Sequence, residues 1–88
     1  MGVLYVVATP IGNLEDASAR VRRMLGSVSL ILAEDTRRTR ALLNALDVSA
    51  PEVQSCHQHN EHSRLGLAMD VLGRGEDVAL VSDAGTPA

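Results

Sequence analysis

Three short apolar runs, Leu4 to Ala8, Leu30 to Ala33 and Val78 to Val81, constrain this chain more than anything else in it. Each is too short for a helix, and each is continuous rather than alternating, the pattern of a strand buried on both faces. A weaker fourth run, Glu52 to His57 (E-V-Q-S-C-H), reads as another strand, with Val53, Ser55 and His57 on one side. The segments between the runs carry helical spacing. Strand and helix therefore alternate as βαβαβαβ with short connections, which predicts an α/β domain: a parallel β-sheet flanked by helices.

The first run drives directly into Ala8-Thr9-Pro10-Ile11-Gly12-Asn13. Pro10 cannot donate to a ladder and Gly12 has no Cβ, so pairing stops here and a ligand can come close to the main chain. Helix one is expected over about Asp16 to Leu25, capped by Asp16 or Ser18 and closed by Gly26, with Leu14, Ala17, Val21, Met24 or Leu25, and Val28 recurring near helical spacing. Thr36 to Leu46 is the second helix; its apolar Leu42, Leu43 and Leu46 crowd the second half, so its first turn faces a polar place. Asp47 to Pro51 reads as a turn. Asn60 is the expected N-cap of a third helix whose apolar face is Leu65, Ala68, Met69 and Leu72, ending at Gly73 and Gly75.

Four polar clusters follow strands directly: Thr9 to Asn13, Glu34-Asp35-Thr36-Arg37, His59-Asn60-Glu61 and Ser82 to Thr86. In a parallel sheet all four fall at the carboxyl edge, where open α/β folds bind their ligands. Asp, Asn, Ser and Thr after strands are also ordinary caps and turn formers, and one such cluster alone would carry no function. Arg37, Arg38 and Arg40 are unfavourable charges near a helix start, offset locally by Glu34 and Asp35 or placed there to meet phosphate.

The chain has 88 residues, enough for one small domain that buries roughly 60% of its unfolded surface. Hydrophobic residues make up 45%, yet there is one Tyr and no Phe or Trp, so the core must be aliphatic, and the scarcity of aromatics argues against a base-stacking platform. Net charge is −3, so the whole chain has no electrostatic footprint for nucleic acid, and any RNA contact must be local. A single cysteine, Cys56, excludes an internal disulfide and fits a reducing cytoplasm. No apolar run approaches the ~20 residues of a membrane span, so no membrane partner is expected. Cys56, His57, His59 and His62 lack a C-x-x-C pair and a second ligand pair, so no metal is expected.

The runs A-T-P-I-G-N-L-E-D-A-S-A-R, A-E-D-T-R-R-T, H-N-E and V-S-D-A-G-T-P, in that order, resemble the tetrapyrrole methylase superfamily. Within it the pattern is similar to the branch that 2′-O-methylates a cytidine of 16S ribosomal RNA with S-adenosylmethionine. The resemblance implies that residues 1–88 are the N-terminal domain of a class III methyltransferase, truncated, with a second α/β domain closing the cleft elsewhere. It implies cofactor binding by Thr9, Pro10, Gly12, Asp83, Ala84, Gly85, Thr86 and Pro87. Substrate contact falls to Asn13, Arg37, Arg38 and Asn60, and catalysis to Glu34, His59 and Glu61. The implied partners are 16S ribosomal RNA or the small ribosomal subunit, and a second copy in a homodimer.

Two other readings compete. One is a corrin or porphyrin C-methyltransferase, although Asp83-Ala84-Gly85-Thr86-Pro87 differs from the shorter G-D-P form of that branch. The other is a non-enzymatic α/β module binding a nucleotide or a partner. Assay of both acceptors separates the enzymes, and the sequence beyond Ala88 separates enzyme from module.

Overall fold

A computed structural model of the chain describes residues 1–9, 19–49, 51–57 and 59–83. Among these residues seven elements alternate: β1 (Leu4–Thr9), α1 (Ala19–Ser27), β2 (Leu30–Ala33), α2 (Thr36–Ala45), β3 (Glu52–Ser55), α3 (Glu61–Gly73) and β4 (Val78–Asp83). The strands form one parallel sheet in the order β1-β4-β2-β3, so β4 enters between β1 and β2. Leu30 stands opposite both Val78 and Glu52, and Thr9 opposite Asp83. The predicted α/β architecture is the one observed.

Two aliphatic clusters sandwich the sheet. On one face Leu25 and Val28 at the end of α1, and Leu42, Leu43 and Leu46 at the end of α2, cover Val7, Ile31, Ala33, Val53, Ala79 and Val81. On the other, Ala68, Val71 and Leu72 of α3 cover Leu30, Leu32 and Val78. The central strands are almost wholly buried, and each such side chain contributes about 1.5–3 kcal/mol relative to exposure.

Several boundaries differ from the sequence expectation, each for a local reason. Strand β3 stops at Ser55 rather than His57. The Cys56 N–H still reaches the Ala33 carbonyl at 2.8 Å, but the His57 N–H donates instead to Asn60 Oδ1 at 2.8 Å, which turns the chain out of the sheet. Helix α1 continues through Gly26 to Ser27, whose hydroxyl donates back to the Met24 carbonyl. The expected caps Asp16 and Ser18 lie outside the described residues. Strands β1 and β4 both run further than the apolar residues, pairing through Thr9 and Asp83.

Helix α3 also sits differently. Asn60 occupies its N-cap position but makes no side-chain cap bond. Leu65 and Met69, expected on its buried face, are 51% and 60% exposed, while Val71 is buried. The helix meets the sheet along Ala68, Val71 and Leu72 and crosses chiefly β2 and β4. Leu4 and Val6 of β1, on the same face of the sheet, are left exposed. Gly75, at φ +84, closes α3 by donating its N–H to the Leu72 carbonyl in a conformation that costs other residues a Cβ clash.

Candidate functional site

Adjacent strands β2 and β3 send their following helices to opposite faces of the sheet: α2 packs with the first cluster and α3 with the second. Between two such strands the connections diverge and leave a crevice outside the carboxyl ends, the place where open α/β sheets bind ligands. A cleft of about 260 Å³ lies here, lined by Glu34, Cys56, His57, Glu61, Leu80, Val81 and Ser82. Each polar residue arrives from a different segment: Glu34 directly follows β2, His57 follows β3, Glu61 opens α3 and Ser82 lies in β4. Leu80 and Val81 supply an apolar floor.

The wall formed by residues 55–57 and 59–64 is fixed by side-chain hydrogen bonds. Asn60 Nδ2 donates to the Ser55 carbonyl at 3.3 Å and to Ser55 Oγ at 3.0 Å, while Oδ1 accepts from the His57 N–H. Arg64 Nε donates to the same Ser55 carbonyl at 2.8 Å, and Ser63 Oγ to the Asn60 carbonyl at 3.1 Å. The His59 N–H donates to His57 Nδ1 at 3.2 Å, with the two rings edge to face at 5.8 Å. Because Nδ1 accepts, the neutral His57 ring carries its proton on Nε2.

Burial pushes the Cys56 thiol above its ordinary pKa, and the Glu61 carboxylate pushes the same way; Arg64 opposes, and Glu34 adds a smaller push upward. A thiol held protonated is a poor nucleophile, so Cys56 serves the cleft as a small apolar surface. Both glutamates act on it, which places two carboxylates around one space. Neither has a hydrogen bond or ion pair among the described residues.

On the far side of Glu34, Asp35 caps α2 by accepting from the Arg38 N–H at 3.1 Å, and its carboxylate lies 4.0 Å from the Arg38 guanidinium. Arg37 and Arg38 are exposed in that first turn.

The structure thus brings Glu34 and Glu61 together at one cleft, while Arg37 and Arg38 stand exposed in the first turn of α2 and do not line it. His59 does not line the cleft; it braces His57, which does line it and which residue order alone places within β3. Asn60 spends both donors and an acceptor inside the loop. Thr9 and Asp83 pair at the ends of β1 and β4, while Pro10, Gly12, Asn13, Ala84, Gly85, Thr86 and Pro87 lie outside the described residues. Among the described residues, no group of three or more His, Cys, Asp or Glu side chains is arranged to hold a metal ion, and no helix is long and apolar enough to cross a membrane.

Comparison with known proteins adds a family. The sequence profile of the tetrapyrrole (corrin/porphyrin) methylases matches residues 3–88. Proteins named ribosomal RNA small subunit methyltransferase I are similar throughout: that of Pseudomonas aeruginosa is 51% identical over 86 residues, covering 98% of this chain and 30% of that protein. The Synechocystis sp. protein is 51% identical over 87 residues, covering 99% and 31%, and the Bacillus subtilis protein is 48% identical over 87 residues, covering 99% and 30%. The chain spans about 30% of the length of these curated relatives.

Proposed function

Because the chain belongs to the tetrapyrrole (corrin/porphyrin) methylase family, we propose that its carboxyl-edge crevice is one wall of a methyl-transfer site. In the full-length protein this site uses S-adenosylmethionine to methylate the 2′-hydroxyl of a cytidine in 16S ribosomal RNA. The observation that carries the reading is the convergence of Glu34, His57, Glu61 and Ser82 on an apolar floor at the point where the winding changes face. The names of the similar proteins support RNA of the small subunit as the acceptor.

When bound, S-adenosylmethionine supplies a methyl group on a sulfonium, a leaving group that needs no acid. The chain's own work is then to hold the acceptor in line and close. Of the Glu34 and Glu61 carboxylates, one takes the single hydroxyl proton as the oxygen gains the methyl group and the other orients the oxygen, and the His57 Nε2–H offers a donor beside them. His59 acts through His57. Arg37 and Arg38 take the flanking phosphates, which Arg grips bidentately, and Asn13 contributes to substrate contact. Asn60 positions the wall that holds His57 and Glu61.

The donor chemistry required for the cofactor is backbone N–H groups, a carboxylate and an apolar wall. Strands β1 and β4 end side by side at Thr9 and Asp83. Thr9, Pro10 and Gly12, together with Asp83, Ala84, Gly85, Thr86 and Pro87, would hold it. The protein works in the cytoplasm, and a second copy of the full-length chain completes a homodimer.

The test is methyl transfer from labelled S-adenosylmethionine to 16S ribosomal RNA by the full-length protein. Glu34→Gln combined with Glu61→Gln is expected to lower turnover by about 10²-fold or more, the range expected when a positioned proton-accepting group is removed. Label appearing in a corrin or porphyrin and not in RNA would overturn the acceptor, and unchanged turnover in the double variant would overturn the site.

A further inference from the structure

The charges of this chain are sorted by layer. Helices α1 and α2 hold six of its eight arginines, Arg20, Arg22, Arg23, Arg37, Arg38 and Arg40, and none of its eleven acidic residues. The rest of the chain carries two arginines and all eleven acids. A net charge of −3 therefore hides a +6 layer set against −9 elsewhere. Both helices pack on the same face of the sheet, so the six charges share one side of the molecule. All six arginines are exposed.

Their position within the helices is as uneven as their distribution. Every one falls in the first five residues, A-R-V-R-R in α1 and T-R-R-T-R in α2, and neither helix has an acidic residue in its first turn. Cations there oppose the helix dipole, so the placement works against helix stability. Among the described residues internal ion pairs do not explain it either: of these six arginines Arg38 has one, with Asp35. Both clusters also point the same way along the fold. Helix α2 starts at the end of β2, and α1 ends just before β2 begins, so the first turns of both lie toward the carboxyl edge of the sheet.

From this we propose that the N-terminal halves of α1 and α2 form a docking face for the phosphate backbone of folded RNA. The face holds the strand that flanks the acceptor nucleotide. The inference rests on the RNA reading above and extends it from the first turn of α2 to α1. Charge complementarity selects the partner: the basic residues are all arginine, whose planar fork matches phosphate bidentately, and neither helix carries an aromatic residue to read bases. Binding at this face is accordingly indifferent to sequence and strongly dependent on salt.

The experiment is a salt titration of 16S ribosomal RNA binding by the full-length protein, with methyl transfer and cofactor binding measured alongside. Arg20→Gln, Arg22→Gln and Arg23→Gln together should weaken RNA binding about tenfold or more near physiological salt. They should also reduce the slope of log affinity against log salt by roughly 0.7–0.9 for each phosphate no longer neutralised, with cofactor affinity unchanged. Arg74→Gln, outside both basic helices, should leave affinity and slope as they were. Wild-type methylation of RNA with an unaltered slope in the α1 triple variant overturns the docking face alone. Absence of any RNA binding by the wild type overturns this inference together with the acceptor reading, and retention of an acidic protein by the arginines in its place would identify the other partner class.

Discussion

At the amino edge of the sheet, polar groups close on one another. Ser29 Oγ donates to Glu76 Oε1 at 2.8 Å, Arg74 Nε to Glu76 Oε2 at 3.0 Å, and Asp77 Oδ1 accepts the Val3 N–H at 2.8 Å. The backbone joins in, with Gly2 bonded to the Leu72 carbonyl, Ser29 to that of Asp77 and Val78 to that of Val3. At the carboxyl edge, by contrast, Glu34 and Glu61 face a cleft without hydrogen-bond partners among the described residues. The same four strands thus have one end spent on holding the fold and one end left to hold something else. Substitutions at the two ends should separate stability from activity.

The largest effect is expected at the closed end, at Gly2. A Cβ built there would run into the Glu76 carbonyl group, a backbone position that cannot swing away. Gly2→Ala should therefore displace the N-terminal arm from α3 and β4 and lower unfolding stability by about 1–3 kcal/mol, the usual cost of forced overpacking. A urea midpoint unchanged from the wild type would mean that the arm is not clasped. Next comes the wall of the open end. Asn60→Ala removes the carboxamide that ties His57 to Ser55, at about 1–2 kcal/mol for the hydrogen bonds it makes. Its signature is local: amide exchange should quicken at His57 and the start of α3, while β1 and β4 keep their protection. Equal loss of protection across the sheet would make Asn60 part of the core's support and break the contrast between the ends.

Much of this arrangement is readable from residue order, and the reasons differ by element. Leu30 to Ala33 announces itself because a strand covered on both faces must be apolar at every position, and all four residues are buried. The carboxyl edge is legible because a parallel sheet sends every post-strand residue to one side, so Glu34 and Glu61 can be placed together without coordinates. Helix α3 is harder. Its sequence offers two overlapping apolar stripes, one through Leu65 and Met69 and one through Ala68, Val71 and Leu72, and periodicity cannot say which meets the sheet. The crossing over β2 and β4 decides it, and that is tertiary. His57 takes the place in the cleft expected of His59 for a similar reason: Asn60 has the sequence context of a cap, but its carboxamide turns back to Ser55 and His57 and ends the strand early. The basic layer is hidden by arithmetic, since a net charge of −3 averages over helices that carry only one sign.

The smallest expected effect is also the one whose pH dependence is specified. Glu76 is held below the ordinary glutamate pKa first by the Ser29 hydroxyl, then by the Arg74 hydrogen bond and by its charge, all of which favour the carboxylate. The unfolded chain releases its proton at the ordinary value, so folding gains from Glu76 only once the group is ionised. That contribution is fully present above the ordinary glutamate pKa and disappears as pH falls through the lower folded value. Both partners are solvent-exposed, so the gain is small and screened by salt. Glu76→Gln keeps an acceptor for Ser29 but loses the charge, and it should lower the urea midpoint slightly at pH 7 and by progressively less as the pH falls below the ordinary glutamate range. Added salt should narrow the gap at pH 7. A midpoint difference that does not shrink with falling pH would show that Glu76 acts through shape and not through charge. The amino edge would then be a packed joint, with its ion pair incidental.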